Sequence, residues 1–180
     1  MKKQQKQDNL FKLYHELCAI NSVAPNEEAF LLFVNHINII ATEIQKEPKL
    51  EQLVTMYLLL NSKHRVLIQL VTGFGKSFML GLMARYLNLV RSNKVVVVVP
   101  NEVLAAIQQD KYCPWSSKVG DDLFTIKADI HYCTYEDFLT GNIPTSAIIL
   151  VDEVDSLFFA DAPIIINGEL LSAILLLNKY

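Results

Sequence analysis

The sequence predicts an α/β domain preceded by a helical extension, and three observations support this. Hydrophobic residues between positions 8 and 61 recur with the spacing of one helix face. From residue 65 onward, short β-branched runs alternate with longer helical segments, which is typical of parallel strands covered by helices on both faces. A chain of 180 residues that is 52% hydrophobic is long enough for one such domain with its own core.

Two helices are predicted in the extension, residues 1–48. The second follows a turn at residues 24–26, where Asn26 is placed to cap it. Glu27 and Glu28 lie in its first turn, where the helix dipole favours negative charge. Pro48 separates this helix from a third one over residues 50–61, which begins the α/β domain, residues 49–180.

The α/β domain is predicted to contain four buried strands. They are residues 66–71, 94–99, 128–134 and 147–151, all of them nearly unbroken apolar runs. A helix over 76–91 is apolar almost all round, so we expect it to be packed deeply. Residues 113–122 are rich in turn-forming types and predict a surface loop.

Composition and charge narrow the classes of function. The net charge of −3 lacks the basic footprint of a protein that binds a nucleic-acid backbone, so it disfavours a nucleic-acid partner. The uncharged stretches at 141–151 and 170–178 are too short for a membrane span, which needs about 20 residues. The three cysteines have no CxxC spacing and indicate buried thiols in a reducing, cytoplasmic compartment, with at most peripheral membrane contact.

The most specific segment is TGFGKS, from Thr72 to Ser77, between a predicted strand and a predicted helix. Gly73 and Gly75 allow backbone amides to approach phosphate oxygens that a Cβ would block. Lys76 supplies a cation for β- and γ-phosphates, and the Ser77 hydroxyl suits Mg²⁺. The first glycine of the general phosphate-loop pattern is missing at position 70, but the tighter form TGxGK[ST] matches in full. The segment predicts an ATP phosphate loop; the alternative is a chance Gly-rich turn.

An acidic run, DEVD, directly follows the predicted strand at 147–151. Ligands of α/β folds bind at the carboxyl ends of the strands. In a nucleotide motor, Asp152 would hold Mg²⁺ and Glu153 would orient or deprotonate the attacking water. Asp155 is assigned a structural role in tying the loop to neighbouring strands. Taken alone, the run could be an exposed acidic turn, but together with the phosphate loop it predicts a Walker B strand.

Gln52 lies at the start of the third helix. Its amide has a donor and an acceptor that match the N6 and N7 edge of adenine. The alternative is an ordinary solvated glutamine, and the residues alone leave the two readings open.

These motifs together resemble the first nucleotide-binding domain of the SecA protein-translocation ATPases. The resemblance covers residues 50–168 in patches: Gln52, the TGFGKS loop, VVVVPNEVLA at 96–105, YCTYEDF at 132–138, LVDEVDS at 150–156 and PIIING at 163–168. It implies a RecA-like P-loop NTPase fold, with a parallel sheet flanked by helices. It also implies ATP and Mg²⁺ as cofactors, with Lys76 and Glu153 as the catalytic residues.

Several departures mark the chain as a divergent member of such a group. Phe74 stands where that family has an acidic residue in the phosphate loop, and Ser77 replaces a threonine. The only Lys or Arg after Asp152 is Lys179, so the tail offers no arginine finger. We therefore expect the α/β domain to be incomplete at its C-terminus and to need a second RecA-like domain, in cis or in trans, for full turnover.

Three functions remain open from the sequence. The first is an ATP-dependent motor that translocates or remodels a polypeptide or a partner protein, as the resemblance implies. The second is a superfamily 2 helicase or translocase acting on nucleic acid, which the net charge disfavours. The third is a non-catalytic scaffold that binds nucleotide without hydrolysing it, suggested by Phe74 and the missing second domain.

Overall fold

A computed structural model of the chain describes residues 2–20, 23–61, 73–91, 94–113, 130–140, 147–153, 165–166 and 169–170. Its contacts form two compact units, Met1–Gly75 and Lys76–Tyr180. The domain boundary predicted between residues 48 and 49 stays a prediction. The strand predicted over 66–71 lies outside the described residues, as does the loop predicted over 113–122 apart from Cys113.

The first unit contains three helices: α1 (Lys2–Ile20), α2 (Glu27–Glu43) and α3 (Leu50–Asn61). The predicted cap of α2 is confirmed, because the Asn26 side chain accepts a hydrogen bond from the backbone N–H of Ala29 at 3.0 Å. The backbone N–H of Asn26 in turn donates to the hydroxyl of Tyr14, at 2.8 Å. The start of α2 is therefore tied to the middle of α1.

The core of this unit is aromatic. Tyr14 stacks on Phe30, with ring centroids 4.1 Å apart, and Tyr57 of α3 meets both rings edge-on at 5.6 and 5.1 Å. Tyr14 and Phe30 are almost completely buried, and such pairs add stability beyond the area they bury. One aromatic cluster thus joins all three helices.

The second unit has alternating helices and strands. In chain order these are α4 (Lys76–Leu89), β1 (Val95–Val99), α5 (Glu102–Tyr112), β2 (Ile130–Thr134), α6 (Tyr135–Thr140) and β3 (Ile148–Val151). A two-residue antiparallel pair, β4 (Ile165–Ile166) and β5 (Glu169–Leu170), follows. The predicted strands at 94–99, 128–134 and 147–151 are therefore confirmed over Val95–Val99, Ile130–Thr134 and Ile148–Val151, with residues 128 and 129 outside the described part of the chain.

Strands β1, β2 and β3 form a parallel sheet in the order β2-β1-β3. Val97 lies opposite Tyr132 on one side and Leu150 on the other. Parallel neighbours need a crossover connection, which α5 and α6 supply. Because β1 is central and covered on both faces, all five of its valines are buried.

Each face of the sheet has its own packing. On one face, Val96, Val98 and Cys133 pack with Phe138 of α6. We call this group, together with Tyr135 and Val151 which pack against it, the α6 cluster. Residues on alternate positions, such as Val97 and Tyr132, face the other way.

Helices α4 and α5 approach each other closely. A Cβ added at Gly81 of α4 would lie 2.5 Å from the ring of Tyr112 on α5, so only glycine fits there. Asn101 caps α5 by accepting from the N–H of Leu104 at 2.9 Å. The predicted fold class is confirmed: the chain has a small parallel sheet flanked by helices, as in RecA-like domains, with further helices on its N-terminal side.

Candidate functional site at the carboxyl edge of the sheet

The carboxyl ends of the three parallel strands lie at one edge of the sheet. Val99 ends β1, Thr134 ends β2 and Val151 ends β3. This edge is where open α/β sheets bind their ligands, because loops that leave neighbouring strands form a crevice there. Asp152, predicted to hold the metal ion, and Glu153, predicted to be catalytic, directly follow β3, so the structure places both at this edge.

Asp152 extends the sheet by one residue beyond β3. Its backbone N–H donates to the carbonyl of Val98 at 2.8 Å, which continues the ladder between β3 and β1. The residue is only 6% exposed. Glu153, by contrast, is exposed and has φ of +51°, a left-handed conformation that is uncommon for residues with a side chain. The two acids are therefore adjacent in a turn but differ sharply in solvent access.

The backbone of this turn is held by Tyr135, the first residue of α6. Its hydroxyl donates to the carbonyl oxygens of Asp152 and of Glu153, the latter at 2.9 Å. The ring of Tyr135 packs against the α6 cluster. Sequence reasoning assigned no role to Tyr135, because no local pattern indicates that a tyrosine after one strand will contact the turn after another.

Thr134 and Asp137 form a reciprocal cap at the start of α6. The Asp137 carboxylate accepts from the Thr134 hydroxyl at 2.7 Å and from its backbone N–H at 3.2 Å, and the N–H of Asp137 donates back to the hydroxyl at 3.1 Å. These hydrogen bonds lower the pKa of Asp137. The spacing Thr-x-x-Asp is a variant of the capping box, so this feature could have been found in the sequence.

Tyr132 and the side chains around it lie on the face of the sheet opposite the α6 cluster. Burial raises the pKa of Tyr132, and the nearby Cys113, Tyr112 and Asp152 raise it further, whereas Arg85 partly offsets them. Arg85 of α4 is itself 1% exposed. The predicted metal-binding acid is therefore buried and within electrostatic reach of a buried phenol.

In the first unit, the described part of the phosphate loop has two left-handed glycines. Gly73 has φ of +82° and Gly75 has φ of +89°. A Cβ at Gly75 would lie 2.8 Å from the side-chain nitrogen of Gln52. Among the residues that the structure describes, leaving out the chain neighbours of Gly73, no atom lies within 4 Å of a Cβ at Gly73. Both positions therefore require glycine. Gly73 requires it for its left-handed conformation, and Gly75 requires it both for that conformation and because a Cβ would not fit.

Gln52 is not a solvated residue, because it is only 3% exposed. Its side-chain oxygen accepts from the backbone N–H of Lys49 at 2.9 Å, as in half of a capping box at the start of α3. Its side-chain nitrogen donates to the carbonyl of Phe74 at 2.6 Å. The amide therefore braces the loop, and the adenine contact predicted for it stays a prediction.

Lys76 and Ser77 are the first two residues of α4, and both are partly exposed. The first N–H groups of a helix have no partner within it and carry partial positive charge, which suits an anion. Thr72 and Asp155 lie outside the described residues. The joint binding of one nucleotide by Lys76 and Asp152 stays a prediction.

The described residues fit a nucleotide with a magnesium ion. The carboxylate of Asp152 and the hydroxyl of Ser77 are oxygen ligands of the kind that Mg²⁺ prefers, and Mg²⁺ usually takes only one or two carboxylates with phosphates and water. The described part of the chain holds no group of three or more His, Cys, Asp or Glu side chains arranged around a metal position. None of the helices that the structure describes has the length and apolar character needed to cross a membrane.

Comparison with known families identifies the domain. The family model described as "Type III restriction enzyme, res subunit" matches residues 27–158, which is more than two thirds of the chain and extends from α2 past β3. Neither the curated proteins nor the solved structures contain a match, and nothing in these comparisons is specific to SecA. With its parallel sheet and its acidic strand end within the matched range, the chain belongs to this ResIII family, a DEAD-like helicase domain of superfamily 2.

Proposed function

We propose that the chain is the ATP-binding domain of a superfamily 2 motor, with Mg²⁺ as the metal cofactor. The observation that carries the proposal is the phosphate loop, in which left-handed Gly73 and Gly75 immediately precede a helix that begins at Lys76. The family match supports the same conclusion, because DEAD-like helicase domains typically use ATP and Mg²⁺.

The phosphate loop and the acidic pair have distinct roles in this proposal. The loop amides and the Lys76 ammonium bind the phosphates, and Ser77 and Asp152 hold the metal ion. Bound Mg²⁺ would neutralise charge on the phosphate oxygens. Glu153, exposed beside the buried Asp152, orients a water and accepts its proton if the domain hydrolyses ATP.

The polymer on which the motor acts is proposed from the family. A helicase-type domain favours nucleic acid over the polypeptide that the SecA resemblance implied, although the net charge of −3 argues for a local patch rather than a basic surface. Salt-sensitive binding of single-stranded DNA or RNA by the chain would support this choice. Binding of an unfolded polypeptide instead would support translocation of protein.

Substitution of Lys76 tests the nucleotide site. Lys76→Ala should lose most of its affinity for ATP in a calorimetric titration, since the loop then lacks its mobile cation. Lys94→Ala is the matched control, because Lys94 is an exposed lysine immediately before β1, at the opposite edge of the sheet from Asp152. Equal ATP affinity in Lys76→Ala and the unaltered chain would refute the phosphate-loop assignment.

Substitution of Glu153 separates a motor from a scaffold. Glu153→Gln should retain ATP binding and lower phosphate release by about 100-fold or more, as expected for loss of a catalytic base. The measurement is made on the chain alone and with a second RecA-like domain added. Equal and negligible rates in both proteins under both conditions would favour the non-catalytic scaffold.

A further inference from the structure

The turn after β3 depends on a hydrogen bond from outside its own strand. Glu153 has φ of +51°, and a left-handed conformation costs about 1–2 kcal/mol for a residue with a Cβ. The Tyr135 hydroxyl shares its single proton between the carbonyls of Asp152 and Glu153, which lie on either side of the Glu153 Cα. The tyrosine therefore holds both peptide groups that flank Glu153, and one of these is also the peptide group that follows the Cα of Asp152.

The position of that hydroxyl is itself fixed by the fold. Thr134 and Asp137 cap the first turn of α6, so the backbone of Tyr135 is held on both sides. Its ring packs with Phe138, Val96 and Val98 in the α6 cluster. A donor that is held in place before a ligand arrives orients its acceptors at little entropic cost on binding.

We propose that Tyr135 is a positioning residue for the acidic pair, holding Asp152 and Glu153 in the geometry that binds Mg²⁺ with the nucleotide. This proposal rests on the proposed function of the same site. Tyr135 acts through the backbone of the turn and makes no contact with the nucleotide. Without its hydroxyl, Glu153 loses a restraint on its left-handed conformation, and the peptide group between Asp152 and Glu153 loses one of its hydrogen bonds.

Tyr135→Phe is the sharpest test, because it removes the donor and leaves the ring in the α6 cluster. The measurement is the affinity of the full chain for a non-hydrolysable ATP analogue by calorimetry, with Mg²⁺ and with EDTA. We expect the ratio of the affinity with Mg²⁺ to the affinity in EDTA to be about fivefold smaller in Tyr135→Phe than in the unaltered chain, which is the effect of one hydrogen bond. The affinity in EDTA should not change. A merely structural role would lower both affinities together.

Tyr112→Phe is the matched control. It removes the same atom from a buried tyrosine of the same unit, whose ring packs over Gly81. The affinity for the ATP analogue that this variant gains from Mg²⁺ should equal the affinity that the unaltered chain gains. Incorporation of 4-aminophenylalanine at position 135 restores a hydrogen-bond donor at the same place and should restore the affinity gained from Mg²⁺. This result would show that Tyr135→Phe lost positioning of the acids and not the fold.

The possible outcomes distinguish this proposal from the one on which it rests. If the unaltered chain does not bind the analogue, the proposed function fails and the role of Tyr135 fails with it. If the unaltered chain binds and gains affinity from Mg²⁺, and Tyr135→Phe gains as much, only the positioning role is overturned. A failure of the 4-amino side chain to restore a lost gain would overturn it as well.

Discussion

Gly73 and Gly75 share a backbone conformation but differ in their surroundings, and this difference is testable. Both have φ between +80° and +90°. A side chain at Gly73 meets open space, whereas a Cβ at Gly75 lies 2.8 Å from the Gln52 side-chain nitrogen. That nitrogen cannot move freely, because it donates to the carbonyl of Phe74.

Gly75→Ala should therefore be more harmful than Gly73→Ala. We expect Gly73→Ala to lower the free energy of unfolding by about 1–2 kcal/mol, the cost of a left-handed residue with a Cβ. Gly75→Ala adds the loss of the bond from Gln52 to Phe74, about 1 kcal/mol more. Urea unfolding of both variants measures the difference, and equal losses would show that Gln52 does not brace the loop.

The cap at the start of α6 should make stability depend on pH. Hydrogen bonds from Thr134 lower the pKa of Asp137 below its ordinary value of 3.8. Since the folded pKa is depressed, the stabilisation is fully present above the ordinary value of 3.8, which is that of the unfolded chain, and is lost as the pH falls through the lower folded value. Asp137→Asn should flatten the fall in stability in this acidic range.

Thr134 provides the control for the same prediction. Thr134→Ser retains the hydroxyl and should keep the pH dependence of the unaltered chain. Thr134→Val removes the hydroxyl while filling similar volume, at a cost of about 1 kcal/mol for the lost cap. It should flatten the dependence only in part, because the backbone N–H of Thr134 still donates to Asp137. The measurement is urea unfolding between pH 5 and 2, and an unchanged slope in Asp137→Asn would contradict the cap.

Elements were predictable from the sequence where one local pattern determined them. Helical periodicity and Asn26 were sufficient for α2, and runs of β-branched residues were sufficient for β1, β2 and β3. The helix α6 was not predicted, because six residues are too few to show a period. Its cap at Thr134 and Asp137 was the signal that could have revealed it.

Contacts between elements could not be predicted in this way. The burial of Gln52, its bond to Phe74 and the contact from Tyr135 to the turn after β3 all join residues distant in the chain. The strand order β2-β1-β3 is likewise a property of tertiary packing. The sequence therefore indicated which residues could act on a nucleotide, whereas the structure shows what holds several of them in place.

At the scale of the whole molecule, the reactivity of the cysteine thiols measures opening of the fold. Cys18, Cys113 and Cys133 are all buried. Burial raises the pKa of Cys113 to about 12 and that of Cys133 to about 11, so almost no thiolate forms near neutral pH. All three thiols should react slowly with a disulfide reagent in the native protein and rapidly in urea.

Ligand binding should slow this reaction if it stabilises the sheet. A ligand at 100 times its dissociation constant stabilises the folded state by about 2.7 kcal/mol, so labelling that requires opening slows by about 100-fold. A variant that retains only Cys133, which packs in the α6 cluster beside Tyr135, isolates the signal. We expect the ATP analogue with Mg²⁺ to protect Cys133 in this variant and to give no protection when Lys76→Ala is added. An unchanged labelling rate at saturating ligand, measured where calorimetry shows binding, would mean that nucleotide binding is not coupled to opening of the sheet around Cys133.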